Sequence, residues 1–207
     1  MLDLAERAAV HTRQLLAFAR KPPLLPRPTS MDQLLRSTAE FISRTLRVTV
    51  SVEPAPSDGI SLVAEVDTSQ LQQALVNLAL NARDAMPEGA PILFRLRHEQ
   101  IEQQRPAFPD TLPPGDYVVM EVADSGCGMT PEVLNQALDP FFTTKDVGQG
   151  TGLGLPVVFG IVHAHHGFLT IESAPNQGTR VAIFLSRWQE RSSPASGGQP
   201  QQPDLRD

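Results

Sequence analysis

The glycine-rich segment at residues 146–155, DVGQGTGLGL, is the feature that most constrains the fold of this chain. Four glycines alternate with other residues in it: Gly148, Gly150, Gly152 and Gly154. Glycine allows positive φ angles and close approach to the main chain, and such loops often hold an anion before a helix. Leu155 replaces the third glycine of the dinucleotide fingerprint, and no Gly-Lys-Ser/Thr follows, so neither common phosphate motif is present. A flexible loop without a ligand explains the run equally well by itself.

Composition limits the class of protein. The chain has 207 residues and a hydrophobic fraction of 41%, enough for a domain with a core. Its net charge of −6 argues against a nucleic-acid-binding surface. No run of about 18 apolar residues and no apolar core of a secretion signal are present, so we expect no membrane contact by this segment. The single cysteine, Cys127, excludes an internal disulfide framework and is interpreted as a small residue filling a glycine-rich turn, which favours a cytoplasmic protein.

Four segments follow from the sequence pattern. Residues 1–22 are predicted to form a helix with an apolar stripe typical of a helical bundle, and a proline-rich linker follows at 23–29. Residues 30–188 are predicted to form one domain, and the polar residues 189–207 are predicted to be disordered. The stripe contains Leu4, Ala8, His11, Leu15 and Phe18. Since a single helix of this length is marginal in water, it requires partner helices from another chain or from sequence outside this one.

Helices and strands alternate within the predicted domain. Long helices are predicted to begin at Ser30, at Asp67 and near Leu153, the first two with a glutamine three residues later, as in a capping box. Strands are predicted at 47–54 and 60–67 around a turn, and at 90–99, 116–124, 167–175 and 178–187. Residues 100–115 are predicted to be a surface loop. The long segment 125–152 is predicted to be functional and mostly irregular, with one short helix after Thr130.

Two asparagines one turn apart, Asn77 and Asn81, lie on the second predicted helix. Its core stripe contains Leu71, Leu75, Leu78, Ala82 and Ala85, and a polar stripe beside it contains Gln73, Asn77, Asn81 and Asp84. Asparagine is a poor helix former, and a solvated face normally carries Lys, Glu or Arg, so simple exposure explains the pair less well. A carboxamide oxygen can bind Mg²⁺ without adding charge, which indicates a metal-binding role for Asn81 or Asn77.

A second polar feature is Asp124, which directly follows an apolar strand. Gly126 and Gly128 come next and allow a sharp turn. Asp124 is interpreted either as a turn residue or as an acceptor for an exocyclic amine such as that of adenine. A further turn at 176–179, NQGT, leads into the last predicted strand.

Four motifs, in this order and spacing, resemble the ATP-binding domain of the sensor histidine kinases. That domain belongs to a superfamily with the gyrase, Hsp90 and MutL ATPases. The motifs are an asparagine box, NLALNARDAM (77–86), a first glycine box, DSGCGM (124–129), a phenylalanine box, DPFFTTK (139–145), and a second glycine box, GQGTGLGL (148–155). The closing QGTRVAIFLS also matches, and the resemblance covers about residues 30–188. Residues 3–20 resemble the second helix of the dimerisation bundle of these kinases.

The resemblance implies an α/β (α+β) two-layer sandwich. A mixed β-sheet of about five strands would pack on three helices and be preceded by one bundle helix. It also implies ATP and Mg²⁺ as cofactors and phosphoryl transfer to a histidine of a two-component pathway. The implied partners are a response regulator or phosphotransfer protein, and a second copy that forms a homodimer through the N-terminal helix of the full-length kinase.

Residue roles are implied by the same resemblance. Asn81 would coordinate Mg²⁺ and Asn77 would support phosphate and metal, so both would act in catalysis. Asp124 would accept the adenine amine, and Thr179 would line the adenine pocket. The other residues implied to bind the nucleotide are Gly126, Gly128, Asp84, Lys145, Gly150, Thr151, Gly152, Leu153 and Gly154.

The second glycine box would form a mobile lid whose N–H groups face the phosphates at the start of the next helix. Phe141 and Phe142 are predicted to anchor this lid by packing. Lys145 is one of only two lysines in the chain, the other being Lys21. A phosphate contact and simple solvation both remain open for Lys145.

Asn77 and the histidines decide between related functions. In the gyrase-like ATPases the position of Asn77 holds a glutamate general base, and because a carboxamide cannot accept a proton, a kinase is favoured over an ATPase. His11 is followed by Thr12 and faces the seam of the bundle, so no acceptor histidine is predicted here. His163, His165 and His166 are predicted to be structural, because they lie at a helix C-terminus.

The chain is therefore interpreted as a kinase fragment or as a short protein with half of the bundle. Two alternatives remain open. One is a nucleotide-binding scaffold or inhibitor of another kinase that transfers no phosphate. The other is a serine kinase of the anti-sigma type, which the dimerisation helix disfavours.

Overall fold

The structure is a computed structural model that describes residues 23–55, 59–87, 90–146 and 150–189. The predicted bundle helix with His11, and all but the first residue of the predicted tail, lie outside the described residues. The described helices are α1 (Met31–Leu46), α2 (Thr68–Ala85), α3 (Pro131–Gln136) and α4 (Gly154–Ala164). The described strands are β1 (Arg27–Ser30), β2 (Val50–Val52), β3 (Val63–Val66), β4 (Ile92–Ile101), β5 (Arg105–Pro106), β6 (Thr111–Leu112), β7 (Gly115–Asp124), β8 (Phe168–Ser173) and β9 (Thr179–Ser186).

A mixed five-stranded sheet forms one layer, in the order β2-β4-β7-β9-β8. β2 lies parallel to β4, and the remaining neighbours are antiparallel. The helices α1, α2 and α4 share one hydrophobic core with this sheet, in which Leu35, Leu75, Phe94, Met120 and Ile183 are fully buried. The predicted two-layer sandwich, with five strands and three helices, is confirmed.

The helix starts follow the predicted capping residues. Ser30 Oγ accepts a hydrogen bond from the backbone N–H of Gln33 at 3.4 Å and caps α1. Asp67 Oδ1 accepts from the N–H groups of Ser69 and Gln70 at 3.0 and 3.3 Å and caps α2. These bonds satisfy first-turn donors that have no partner inside the helix.

The strands on either side of Gly59 do not pair with each other. β2 joins the central sheet through β4, whereas β3 pairs with β1 in a separate two-stranded sheet. The predicted linker at 23–29 therefore contains part of a strand. β1 is an edge strand. Pro28 is tolerated there because proline has no backbone N–H to donate, and an edge strand need not use every donor for pairing.

The segment at 100–115 is more than the predicted surface loop. β4 continues to Ile101, and β5 pairs with β6. Leu112 is fully buried in a second hydrophobic cluster with Ile101, Tyr117 and Phe184. The apolar residues of segment 100–115 are spaced irregularly among Gln, Glu and Pro. The sequence therefore lacks the alternation of apolar and polar residues that would have predicted these strands and their cluster.

Candidate functional site

The polar stripe of α2 reaches the boundary of the core at Asn77 and Asn81. Both residues are half-buried, because Leu71, Leu75, Leu78 and Ala82 on the neighbouring stripe are buried against the sheet. Neither carboxamide has a hydrogen-bond partner among the residues that the structure describes. Buried polar groups normally have partners, so two neighbouring half-buried amides without protein partners indicate a binding surface.

The beginning of α4 lies against Asn81. A Cβ atom on Gly154 would be 3.0 Å from both Oδ1 and Nδ2 of Asn81, so only a glycine leaves the amide ordinary contact distance. Leu153 occupies the N-cap position and provides no side-chain cap. The N–H of Leu153 donates to Thr151 Oγ1 at 3.3 Å, and Pro156 has no N–H. The N–H groups of Gly154 and Leu155 have no acceptor among the described residues, and a helix N-terminus favours an anion.

The glycines of the second glycine box also pack against the phenylalanine box. Gly152 has φ +63°, and a Cβ there would collide with the backbone of Phe141. The N–H of Phe141 donates to the carbonyl of Gly152 at 2.9 Å. A Cβ on Gly150 would meet Thr143 Oγ1 and approach Lys145 Cβ to 3.1 Å. Close packing of main chain is therefore one physical reason for this glycine run.

The predicted packing role of Phe141 is wrong. Its side chain is 60% exposed, and its backbone has φ 71°. The hydrogen bond from Phe141 to Gly152 holds the main chain in this left-handed conformation while the ring faces solvent. Phe142 is half-buried, in agreement with the packing predicted for it.

Asp124 lies at the end of β7, directly opposite Thr179 in β9. Its Oδ1 atom accepts from the backbone N–H of Gly126 at 2.8 Å and of Thr179 at 3.2 Å. No described residue donates to its Oδ2 atom. Burial raises the pKa of the Asp124 carboxyl, and the two N–H groups oppose that shift. One oxygen therefore fixes the turn, and the other is open to a donor.

The first glycine box packs against the end of α2. A Cβ on Gly126 would be 2.5 Å from the carbonyl oxygen of Ala85, and the N–H of Cys127 donates to that oxygen at 3.0 Å. Gly128 has φ +63°, and a Cβ there would collide with Ala174. Cys127 is exposed in this glycine-rich turn, and its interpretation as a small residue there stays a prediction.

Ser173 is a residue of this region that the sequence did not reveal. Its hydroxyl accepts from the N–H of Met129 and donates to the carbonyl of Gly178, both at 2.9 Å. It also lies 2.9 Å from Thr179 Oγ1. A lone serine at a strand end carries no sequence signal, because its role depends on three segments meeting in space.

Lys145 lies beside the last turn of α2. Its Nζ atom is 2.6 Å from Asp84 Oδ2, and Arg83 Nη2 is 2.7 Å from Asp84 Oδ1. Burial opposes ionisation of Asp84, but the hydrogen bonds from Lys145 and Arg83 outweigh burial and hold the pKa of this carboxyl below its usual range. Two residues predicted to bind the nucleotide are thus paired with each other.

The histidines at the end of α4 lie away from these groups. His165 Nε2 accepts from the backbone N–H of Asp67 at 2.9 Å, and its Nδ1 donates to the carbonyl of Ile161 at 2.8 Å. These two bonds require the neutral ring and join α4 to the cap of α2, which confirms the structural role predicted for His165. The ring of His163 stacks on Phe159 with 5.9 Å between centroids.

Residues 66–189 match the family described as histidine kinase-, DNA gyrase B-, and HSP90-like ATPase. The chain belongs to this family. Similar members include the sensor kinase CckA of Brucella abortus, 42% identical over 184 residues that cover 88% of this chain and 19% of CckA. The two-component sensor PprA of Pseudomonas aeruginosa is 35% identical over 185 residues, or 87% of this chain and 18% of PprA. The chain thus spans about a fifth of the length of these relatives.

Solved structures of other proteins share the fold. Full-length ShkA in complex with AMPPNP superposes with a TM-score of 0.67 at 23% identity, over 88% of this chain and 36% of ShkA. The catalytic domain of the histidine kinase ThkA gives a TM-score of 0.60 at 24% identity, over 79% of this chain and 96% of that domain.

The residues present fit a nucleotide with a bound Mg²⁺. The described residues contain no cluster of three His, Cys, Asp or Glu side chains that could hold a metal alone. Mg²⁺ is commonly bound by one or two protein oxygens together with substrate phosphates, and the open amides of Asn77 and Asn81 provide such oxygens. In the described part of the chain, no helix is long and apolar enough to span a bilayer.

Proposed function

We propose that this chain is the ATP-binding catalytic part of a sensor histidine kinase. It transfers the γ-phosphoryl group of ATP to a histidine in two-component signal transduction. The observation that carries the proposal is the open pair Asn77 and Asn81, of which Asn81 lies against the uncapped N-terminus of α4. Family membership supports the proposal, and so do the relatives, which are named as sensor kinases.

Asn81 binds Mg²⁺ through its carboxamide oxygen, and Asn77 contacts phosphate and metal from one turn earlier. The metal, when bound, neutralises charge on the phosphates. Asp124 accepts the exocyclic amine of adenine at its open Oδ2 atom. Gly126 and Gly128 keep side chains away from the base, and Thr179 lines the same pocket.

The phosphates lie at the start of α4. In this segment Gly150, Gly152 and Gly154 present their N–H groups to the phosphates, and no described residue accepts a backbone hydrogen bond from Gly150 or Gly152. The N–H of Leu153 donates instead to Thr151 Oγ1 at 3.3 Å. The segment comprises Gly150, Thr151, Gly152, Leu153 and Gly154. Lys145 supplies a positive charge beside it.

Phosphoryl transfer in this site depends on positioning and on charge neutralisation more than on covalent chemistry by the protein. Asn77 cannot take a proton from water, so hydrolysis of ATP is slow and the triphosphate persists until a histidine arrives. The acceptor histidine belongs to a bundle helix outside this chain.

The partners follow from this arrangement. The segment at residues 1–22, which the sequence predicts to be helical, joins a dimerisation bundle, so that the full-length kinase forms a homodimer. A response regulator or phosphotransfer protein receives the phosphoryl group. The segment functions in the cytoplasm and contacts neither membrane nor nucleic acid.

Incubation with γ-labelled ATP tests the proposal. We expect no label on this chain alone and weak labelling of a separate helix pair that carries an acceptor histidine. The transfer is weak because the tether that raises local concentration is absent. Asn81→Ala removes the labelling, whereas Gln73→Ala, an exposed change on the same stripe, preserves it.

Two outcomes would contradict the proposal. Label on this chain that is lost in acid, kept in alkali and removed by His11→Ala would show that His11 is an acceptor. Absence of MgATP binding to a folded chain would exclude the kinase function itself.

A further inference from the structure

The pairing of Lys145 with Asp84 places a carboxylate next to the proposed phosphate site. Asp84 lies one helical turn after Asn81 on α2, and its Oδ2 atom is 2.6 Å from Lys145 Nζ. The side chains of Lys145 and Asp84 are 35% and 30% exposed, so the pair lies at the rim of the domain and outside the hydrophobic core.

The main chain around Lys145 holds its side chain in place. The N–H of Lys145 donates to Thr143 Oγ1 at 3.2 Å. A Cβ on Gly150 would approach the Cβ and Cδ atoms of Lys145 to 3.1 and 3.2 Å, so the absence of a side chain at 150 leaves room for the lysine stem. Lys145 therefore lies between the segment that begins α4 and the carboxylate of Asp84.

Asp84 is poorly suited to contact a triphosphate directly. Hydrogen bonds from Lys145 and Arg83 hold the pKa of its carboxyl below the usual range, so it is ionised at neutral pH. An ionised carboxylate accepts hydrogen bonds only, so it cannot donate one to a phosphate oxygen. A lysine ammonium, in contrast, is a compact positive charge that binds either kind of anion.

We propose that Asp84 is the counter-ion of Lys145 and that the triphosphate competes with Asp84 for the same ammonium group. This inference rests on the proposed function, because it assumes phosphates at the start of α4. It assigns Asp84 a role opposite to that of a ligand: the residue weakens nucleotide binding and sets how much negative charge a nucleotide needs to engage Lys145. Asp84 is a specificity-determining residue that acts through Lys145.

Calorimetry with MgATP, MgADP and adenosine tests the competition. Asp84→Asn keeps the shape of the side chain and removes its charge, and we expect about two- to five-fold tighter MgATP binding, the range of one exposed ion pair. Adenosine, which has no phosphate, binds equally to both proteins. In the Lys145→Gln background, Asp84→Asn changes nothing. With Lys145 present, Asp84→Glu keeps the negative charge and the wild-type affinity. Equal melting temperatures establish that all variants are folded.

Two calorimetric results would overturn the inference. Weaker MgATP binding by Asp84→Asn would make Asp84 a ligand of the nucleotide or its metal. Tighter binding that persists in the Lys145→Gln background would show general charge repulsion without competition for Lys145.

A measurement without nucleotide separates this inference from the proposed function. The chain contains only Lys21 and Lys145, so mass spectrometry after brief acylation reports the reactivity of each. An ammonium held by a carboxylate reacts slowly, and we expect Asp84→Asn to accelerate acylation of Lys145 several-fold while Lys21 serves as the internal standard. Unchanged reactivity of Lys145 would refute the pair. Failure of the wild-type chain to bind MgATP, with an accelerated Lys145, would refute the proposed function instead.

Discussion

The charged side chains on the sheet face opposite the helices are paired with one another, whereas the two asparagine side chains of α2 are not paired with any described residue. Glu121 is only 7% exposed and lies 3.0 Å from Arg95, 3.1 Å from Arg97 and 3.2 Å from Arg180. Asn77 and Asn81 are also partly buried, but no described residue donates to or accepts from their carboxamides.

This difference distinguishes polar groups that stabilise the fold from polar groups that await a ligand. A buried carboxylate is stable only when cations and hydrogen bonds compensate the loss of water, as around Glu121. An unpaired amide at the edge of the core contributes little to stability and keeps its donors and acceptors for another molecule. Substitutions in the two regions should therefore change different properties.

The largest effect is expected on the sheet. Glu121→Ala leaves three arginines around an empty position, and we expect a loss of about 2–3 kcal/mol in the free energy of unfolding, since the arginines are partly exposed and retain other partners. Chemical denaturation measures the loss, and Glu172→Ala is the control, because that side chain is 70% exposed. MgATP affinity should be equal in the folded proteins. A fall in affinity with unchanged stability would remove the distinction between the two regions.

The opposite result is expected on α2. Asn81→Ala should leave the free energy of unfolding within about 0.5 kcal/mol of wild type, because the carboxamide has no protein partner in the described residues. It should remove the Mg²⁺-dependent part of ATP affinity, about 2–3 kcal/mol if a charge-assisted contact is lost. Calorimetry with and without Mg²⁺ measures this part. Equal dependence on Mg²⁺ in wild type and Asn81→Ala would exclude Asn81 as the metal ligand.

The sequence predicts the long, regularly buried elements of the fold and misses the short, irregular ones. The helices around Leu35 and Leu75 and the strands of the central sheet were predicted because burial on one face imposes a regular period on the sequence. The pairing of β1 with β3 was missed, because a short proline-containing edge strand has no such period. The second cluster around Leu112 was missed because its residues come from four separate strands of the chain.

The candidate site could be predicted only as far as local motifs extend. The capping role of Asp67 and the open amides of Asn77 and Asn81 follow from residue type and helical spacing. The contacts of Ser173 and the pairing of Lys145 with Asp84 depend on segments that lie far apart in sequence, so residue spacing contains no information about them. The contact of Gly154 with Asn81 is of the same kind.

The smallest effect is expected at Asp124. One of its carboxylate oxygens accepts hydrogen bonds from the protein, like the carboxylate of Glu121, and the other is open, like the amides of Asn77 and Asn81. Burial raises the pKa of this carboxyl in the folded protein above the ordinary value of about 3.9. A hydrogen bond from the adenine amine favours the ionised form, so nucleotide binding should lower that pKa again. Affinity for MgADP should therefore fall, by about 1 kcal/mol or less, as the pH decreases through the raised pKa.

The stability of the free protein should change in the opposite direction. Because the folded pKa of Asp124 is raised, its contribution to stability is fully present below the unfolded pKa and is lost as the pH increases through the folded pKa. Asp124→Asn retains an acceptor for the N–H groups of Gly126 and Thr179 but does not titrate. Relative to this variant, wild type should gain stability and lose MgADP affinity as the pH decreases. The nucleotide phosphates titrate equally with both proteins, so their effect cancels in the comparison. Calorimetry and chemical denaturation at a series of pH values measure both trends. If MgADP affinity changed equally with pH in wild type and Asp124→Asn, the open oxygen of Asp124 would not contact the base.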